Sequence, residues 1–222
     1  MTADPDLAAL GEVFETARAL GFLGSGPAAE QTAHAIAFAA VLQTAGAGPA
    51  PFLDLGSGGG IPGLVLAALW PDIAGTLLDS SQRRTAFLRR TVVGLGWGSR
   101  VEVVEGRAEA LGREPGLRGA FPLVVSRSFA APSVTAEIGG AFLTLGGCLA
   151  VSEPEEAGTP GGRARPGGPS DRWPDAGLAE LGLAPVEIGT GDGARVAVIR
   201  RRQPVDDRWP RAVGIPAKRP LW

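Results

Sequence analysis

The stretch Asp54-Leu55-Gly56-Ser57-Gly58-Gly59-Gly60-Ile61-Pro62-Gly63 carries the clearest chemical signal in the chain. Phe52-Leu53 precedes it and the apolar run Leu64-Val65-Leu66-Ala67-Ala68-Leu69 follows. That order reads as a buried strand, a glycine turn and a helix start, with Pro62 in a first turn that tolerates a missing N–H. Such a turn lets a ligand lie against bare backbone. The glycine spacing narrows the ligand: a dinucleotide turn takes glycines at the first, third and sixth positions, and counted from Gly56 the sixth is Ile61. The run is instead acid-x-Gly-x-Gly-x-Gly, through Asp54, Gly56, Gly58 and Gly60. A second carboxylate stands where a ribose would need it. Asp79 ends the apolar run Gly75-Thr76-Leu77-Leu78, nineteen residues beyond Gly60 and near the ~20 at which an acid accepts from ribose hydroxyls. It also precedes Ser80-Ser81 at a helix start, so capping is a compatible second role. Arg127 follows the apolar run 121–126, at a strand end where open α/β sheets bind ligands. The single histidine, His34, lies in an alanine-rich helix and reads as packed or half-exposed rather than catalytic.

An alternation of strands and helices is needed to bring these residues together. Helices are expected over 5–21, with Leu7, Leu10, Phe14 and Ala17 on one stripe, and over 28–45. Then come strand 50–55, helix 62–70, strand 74–79, helix 81–95, strand 101–105, a short helix near 108–112, strand 121–126, helix 131–143 and strand 147–152. Residues 153–173 are rich in Pro, Gly and Arg without periodicity and read as a mobile loop. A helix near 174–182 and strands 185–189 and 195–201 close the fold, the last two joined by a tight Gly191-Asp192-Gly193 turn and therefore antiparallel. The expected fold is α/β: a doubly wound, mostly parallel, Rossmann-like sheet with an antiparallel last strand and N-terminal helices. Residues 1–47 form a helical extension and 48–222 the Rossmann-like domain.

Composition limits the setting. One cysteine, Cys148, excludes internal disulfides and a cysteine-based metal cluster, and no metal is expected. No apolar run approaches the ~20 residues that span a bilayer and no leader is legible, so neither a membrane nor secretion is expected and the cytoplasm follows. The 222-residue chain carries a net charge of −2, but unevenly. From Arg195 to Trp222 eight basic residues face two acidic ones; this local +6 leaves −8 for the rest. A basic tail on an acidic body is a candidate phosphate-binding surface through Arg208, Arg211, Lys218 and Arg219, or a solvated tail. Trp209 and Trp222, set among the bases, either stack on nucleobases or anchor the tail to the sheet.

Asp54–Gly63, Leu78-Asp79-Ser80 and Arg83-Arg84-Thr85-Ala86-Phe87-Leu88-Arg89 together resemble class I S-adenosylmethionine-dependent methyltransferases, and among them the guanine-N7 methyltransferases of small-subunit (16S) ribosomal RNA, the RsmG or GidB family. Three further segments resemble that family: Val104-Glu105-Gly106-Arg107-Ala108-Glu109, Val125-Ser126-Arg127-Ser128-Phe129-Ala130 and the tail Trp209-Pro210-Arg211-Ala212-Val213-Gly214-Ile215-Pro216-Ala217-Lys218-Arg219-Pro220-Leu221. The resemblance implies S-adenosyl-L-methionine as cofactor and small-subunit ribosomal RNA, or the small ribosomal subunit, as partner. It implies a cofactor site of Asp54, Gly56, Ser57, Gly58, Gly60 and Pro62 in the loop, Asp79 and Ser80 beyond the second strand, and Ala108 and Glu109 flanking the adenine. Arg127 would be both cofactor-binding and catalytic, against the methionine carboxylate, an RNA phosphate or the target base; Glu105 and Arg107 would orient their loop. Two features depart from the family. Its His-x-x-Asp-Ser-Leu run is reduced to His34-Ala35-Ile36-Ala37-Phe38-Ala39, and its Lys-Gly after the fifth strand is Ser152-Glu153-Pro154. Another RNA or a small molecule as acceptor, or a non-catalytic cofactor- or RNA-binding paralogue, are the alternatives.

Overall fold

The computed structural model describes residues 5–24, 26–154 and 169–222. Two helices lead in, α1 (Pro5–Ala19) and α2 (Ala28–Thr44). The alternating core follows: β1 (Phe52–Leu55), α3 (Gly63–Leu69), β2 (Gly75–Asp79), α4 (Gln82–Gly94), β3 (Val101–Glu105), α5 (Ala108–Leu111), β4 (Phe121–Ser126), α6 (Pro132–Phe142) and β5 (Leu143–Ser152). The remaining elements are α7 (Pro169–Arg172), α8 (Asp175–Glu180), β6 (Glu187–Gly191), β7 (Ala194–Arg200) and α9 (Ile215–Lys218).

The strands form one seven-stranded sheet in the order β3-β2-β1-β4-β5-β7-β6. β1 to β5 run parallel, and β7 is antiparallel to both β5 and β6. β1 and β2 are buried at every residue, as expected of parallel strands covered on both faces, whereas the edge strand β3 buries only Val101 fully. The winding reverses between β1 and β4, which opens a crevice at their carboxyl ends. The glycine turn after β1 and Arg127 after β4 both sit there.

Two apolar clusters cover the two faces of the sheet. One joins Leu10, Phe14, Phe38 and Leu42 of α1 and α2 to Leu64, Leu66, Leu77 and Leu88, so the N-terminal helices share a core with the sheet. The other joins Leu53, Leu55, Leu149 and Ile199 to Ile138 and Phe142 of α6 and to Trp173, Leu178 and Trp209. Cys148 lies inside the first cluster, where burial pushes its thiol up to about 11 and keeps it protonated.

Two expectations need correction. β5 starts at Leu143, directly after α6, and reaches its second register with β4 through an irregularity between Phe121 and Leu123; Gly146 and Gly147 break the alternation that would have revealed the early start. The segment 153–173, expected as a mobile loop, is not loop at its C-terminal end. Residues 155–168 lie outside the described residues, but 169–172 form the helical turn α7 and Trp173 is fully buried. Its indole Nε1 donates to Glu153 Oε1 at 3.1 Å, and Arg172 Nε donates to Glu153 Oε2 at 2.7 Å. Burial of one large aromatic ring outweighs the local composition.

Candidate functional site

The glycine turn is held by hydrogen bonds to β1, to β2 and within itself. The N–H groups of Gly56 and Ser57 both donate to Leu78 O at 2.9 Å, and Gly60 N donates to Ser57 O at 2.7 Å. Asp54 Oδ2 accepts from Gly63 N at 3.0 Å, which ties the end of β1 to the start of α3. Gly63 has to be glycine: a Cβ there would lie 2.5 Å from Asp54 Oδ2 and 2.4 Å from Leu77 Cδ2. Gly56 and Gly58 take φ values of +75° and +57°, a region open to glycine. Gly60 (φ +101°) turns inward against Leu64, and Pro62 is buried behind it, so these two shape the turn from beneath.

Asp79, expected at the ribose, lies in the wall of a cleft of about 320 Å³ with Gly56, Ser80, Ala108, Glu109, Phe129 and Ile138. Its carboxylate is fixed first by the protein. Oδ2 accepts from Gly58 N at 2.9 Å and Oδ1 from Ser81 N at 2.8 Å. A carboxylate offers about four acceptor positions, so two are left unused, with Arg84 Nη1 3.7 Å from Oδ2. Asp79 is not the cap of α4, whose N-cap is Ser81 without a side-chain cap; its two bonds instead tie the end of β2 to the glycine turn and to the start of the next helix. Glu109 is nearly inaccessible; its Oε1 accepts from Arg107 Nη2 at 2.7 Å and from Gly214 N at 3.1 Å. Burial alone would raise its pKa, but those two donors outweigh it and hold the carboxyl below the usual glutamate range. Glu105 accepts from Thr85 Oγ1 at 2.8 Å and Arg89 Nη1 at 3.1 Å, which braces β3 against α4 outside the cleft.

A second cleft, about 360 Å³, shares Gly56, Arg84 and Ser128 with the first and adds Ser57, Gly58, Gln31 and Arg127. Phe22 and Leu23, between α1 and α2, form its outer wall. A third, about 640 Å³, runs from Arg127, Ser128 and Phe129 to Ser152, Glu153 and Trp173. All three clefts meet at the short turn after β4, where Ser128 takes φ +57°, a strained value for a side-chain-bearing residue and typical of functional turns.

Two charged groups near this junction each carry a buried, unpaired atom: Asp54, sealed beneath the turn and lining none of the three clefts, and half-buried Arg127, which lines two of them. Asp54 Oδ1 and Arg127 Nη1 have no hydrogen-bond partner, while Arg127 Nη2 donates to Gln31 Oε1 at 3.0 Å. Burial pushes Asp54 up to about 7, opposed by the Gly63 N–H. Burial lowers Arg127, and the charge of Asp54 counters it. One unpaired acceptor and one unpaired donor of opposite charge suit a zwitterionic amino-acid head group.

The basic tail resolves into two kinds of residue. Arg211, expected at RNA, is committed to the protein: its Nε and Nη2 donate to the buried Glu137 carboxylate at 3.0 and 2.6 Å, and the pairing raises its pKa. Arg208 stacks on Trp209 and lies 3.4 Å from Asp206. Arg113 and Arg118, from the stretch after α5, donate to the carbonyls of Pro210 and Asp206 at 2.9 and 2.8 Å. Lys218 and Arg219 remain exposed. Trp209 is buried and Trp222 Nε1 donates to Arg172 O at 2.9 Å, so both tryptophans anchor the chain rather than offer stacking faces. Among the described residues no helix is long and apolar enough to cross a membrane, and no group of three or more His, Cys, Asp or Glu is placed to hold a metal.

The sequence reading missed Gln31, Ser128 and Phe129. Only Phe129 left a signal, as an aromatic just past a strand end.

Residues 31–153 match the family model described as rRNA small subunit methyltransferase G. A ribosomal RNA small subunit methyltransferase G from Symbiobacterium thermophilum is 35% identical over 206 residues, covering 85% of this chain and 77% of that protein. One from Moorella thermoacetica is 34% identical over 179 residues, covering 78% and 70%. Among solved structures, the mitomycin 7-O-methyltransferase MmcR aligns with a TM-score of 0.56 at 19% identity, covering 88% of this chain and 60% of that one; this shows the shared fold.

Proposed function

The chain belongs to the rRNA small subunit methyltransferase G (GidB) family, and on that premise we propose that it transfers a methyl group from S-adenosylmethionine to N7 of a guanine in small-subunit ribosomal RNA. The observation that carries this reading is the junction at Arg127–Phe129. A cleft bearing Asp79 and Glu109 and a cleft bearing Arg127 and the glycine turn meet there, and a third cleft opens from the same turn.

S-adenosylmethionine, when bound, supplies an electrophilic methyl group on a sulfonium. The protein's residues divide the remaining work. Asp79 and Ser80 take the ribose, with Ala108 and Glu109 beside the adenine. Asp54 Oδ1 and Arg127 Nη1, the two unpaired groups, suit the ammonium and carboxylate of the methionine part. The third cleft receives the acceptor base. Guanine N7 has an in-plane lone pair and no proton, so the reaction needs no general base. Alignment is the main contribution, worth up to about 7–11 kcal/mol when both reactants are well held. A base in folded RNA must also be unstacked or presented in a loop.

Glu153, where the family has Lys-Gly, bears on the alternative acceptors. Arg172 offsets its charge from 2.7 Å, so the exchange costs this wall a positive charge but does not turn the third cleft anionic. The exchange therefore leaves RNA open as the acceptor. The deciding experiment supplies wild-type protein and methyl-labelled S-adenosylmethionine to small subunits and to naked ribosomal RNA from a strain lacking the gene, then maps modified nucleosides by mass. A single 7-methylguanosine supports the proposal. Labelling at another atom, or none beside demonstrated cofactor binding, hands the reading to another acceptor or to a non-catalytic role.

A further inference from the structure

The cleft that holds Glu109 is walled on one side by the chain's own C-terminal segment. Ala217, in α9, lines it together with Gly56 and with Val134 and Ile138 of α6. Gly214 reaches in from the same segment with the N–H that Glu109 accepts at 3.1 Å. Beyond the four residues of α9 the tail has no regular structure of its own to fix these positions.

What fixes them is α6. Its Glu137 is 1% exposed and receives four contacts from a single tail residue: Arg211 N at 2.8 Å, Arg211 Nε at 3.0 and 3.1 Å, and Arg211 Nη2 at 2.6 Å. Trp209 packs into the core two residues earlier, with the Arg208 and Arg211 guanidinium groups over its ring. Glu137 lies between Val134 and Ile138, which themselves line the cleft. One helix therefore lines the cleft from its own face and clamps the segment that completes it.

We propose that residues 211–217 are a docked wall of the cofactor site, and that Arg211 and Glu137 are positioning residues which hold Gly214 and Ala217 at its adenosyl end. Glu109 then acts as a bracket between ligand and tail. Its buried carboxylate is already engaged by Arg107 and Gly214, so losing the tail would leave it with one donor fewer, an unfavourable state in a buried site. Cofactor binding and tail docking reinforce each other, and by linkage the coupling is reciprocal. The inference rests on the reading of this cleft as the adenosyl site.

The test uses the full chain and S-adenosylhomocysteine. Ala217→Trp places bulk in the cleft from an exposed position, and is expected to weaken binding at least tenfold in calorimetry at an unchanged melting temperature. Arg211→Gln should raise the KM for S-adenosylmethionine about tenfold, as loss of a charge-assisted hydrogen bond implies, with kcat falling much less, and Arg211→Lys, which keeps the charge but not the two-pronged contact, should recover part of it. Amide exchange over 209–218 should slow when the wild type is saturated with S-adenosylhomocysteine. Unchanged affinity for Ala217→Trp, or exchange in the tail indifferent to ligand, overturns the docked wall while leaving the methyltransferase reading intact. A wild type that binds neither form of the cofactor overturns both.

Discussion

The glycine turn and the C-terminal tail border the same cleft, yet they are built by opposite means. In the turn, residues 54–63 bond to one another and to the next strand: Gly60 N to Ser57 O, Gly63 N to Asp54, and Gly56 and Ser57 N to Leu78 O. In the tail, the fixing partners stand roughly 75 to 105 residues away: Glu137 for Arg211, Glu109 for Gly214, Arg113 for the carbonyl of Pro210. A turn made from short-range bonds writes its geometry into a few consecutive residues. A tail made from distant ones writes only its composition.

The largest effect expected from breaking the turn is at Asp79. Asp79→Ala releases Gly58 N and Ser81 N and, on the proposed reading, removes a charged acceptor for the ribose hydroxyls. It should weaken S-adenosylmethionine and S-adenosylhomocysteine alike by about 1.5–3 kcal/mol, ten- to a hundredfold by calorimetry. No binding by the wild type would end the cofactor assignment, and equal binding by the mutant would remove Asp79 from the site. Arg127→Ala should lower methyl transfer far more than it lowers the melting temperature, because half its guanidinium has no protein partner to lose. Unaltered turnover would reduce Arg127 to structure.

Next in size is Gly63→Ala. The added methyl meets Asp54 and Leu77 inside 3 Å, so the turn cannot keep its geometry. About 1–3 kcal/mol of stability should be lost in denaturant unfolding, together with cofactor affinity. A neutral result would mean that the approach of α3 to β1 is looser than its contacts describe.

These outcomes bear on what was legible beforehand. The sheet, its reversal and the antiparallel β6–β7 pair were readable because strand runs, turn glycines and helix stripes are local patterns. The Asp54-to-Gly63 turn and the Asp79 spacing were readable for the same reason. Arg211 was not: one more arginine in a basic stretch looks like a solvated charge until Glu137 is seen facing it from α6. Trp173 was hidden in the same way, inside a composition that signals a loop. The third cleft depends on β4 and β5 lying side by side, a relation no window of sequence contains.

A smaller effect should follow pH. The Asp54 carboxyl, with an ordinary value of 3.8, is pushed up to about 7 by burial. Between those values the folded protein keeps a proton that the unfolded chain has lost, so stability falls as pH rises through the window and is lowest above it. Asp54→Asn should flatten that slope in unfolding measured at pH 5 and pH 8. If Asp54 meets the ligand ammonium as proposed, binding favours its ionised form, and wild-type affinity should rise from pH 6 to pH 8 while the mutant's does not follow. A slope identical in wild type and Asp54→Asn would show that Asp54 holds no extra proton in the fold.

The smallest expected effect separates the two kinds of tail residue. Lys218 and Arg219 are exposed, whereas Arg211 holds buried Glu137. Lys218→Gln with Arg219→Gln should therefore leave the melting temperature within error, while Arg211→Gln lowers it by stranding a buried carboxylate. If the free pair meets phosphates, the double variant should bind ribosomal RNA more weakly. The slope of log affinity against log salt should flatten by about 1.4–1.8, since each lost contact releases roughly 0.7–0.9 fewer counterions. Arg211→Gln should leave that slope alone, its charge having been spent inside the fold. An equal change of slope for both variants would mean that Arg211 exchanges Glu137 for RNA on binding, and the tail would then be a switch rather than a wall. No change for the double variant would move the RNA surface elsewhere, with the exposed Arg83 and Arg90 of α4 as the next cations to neutralise.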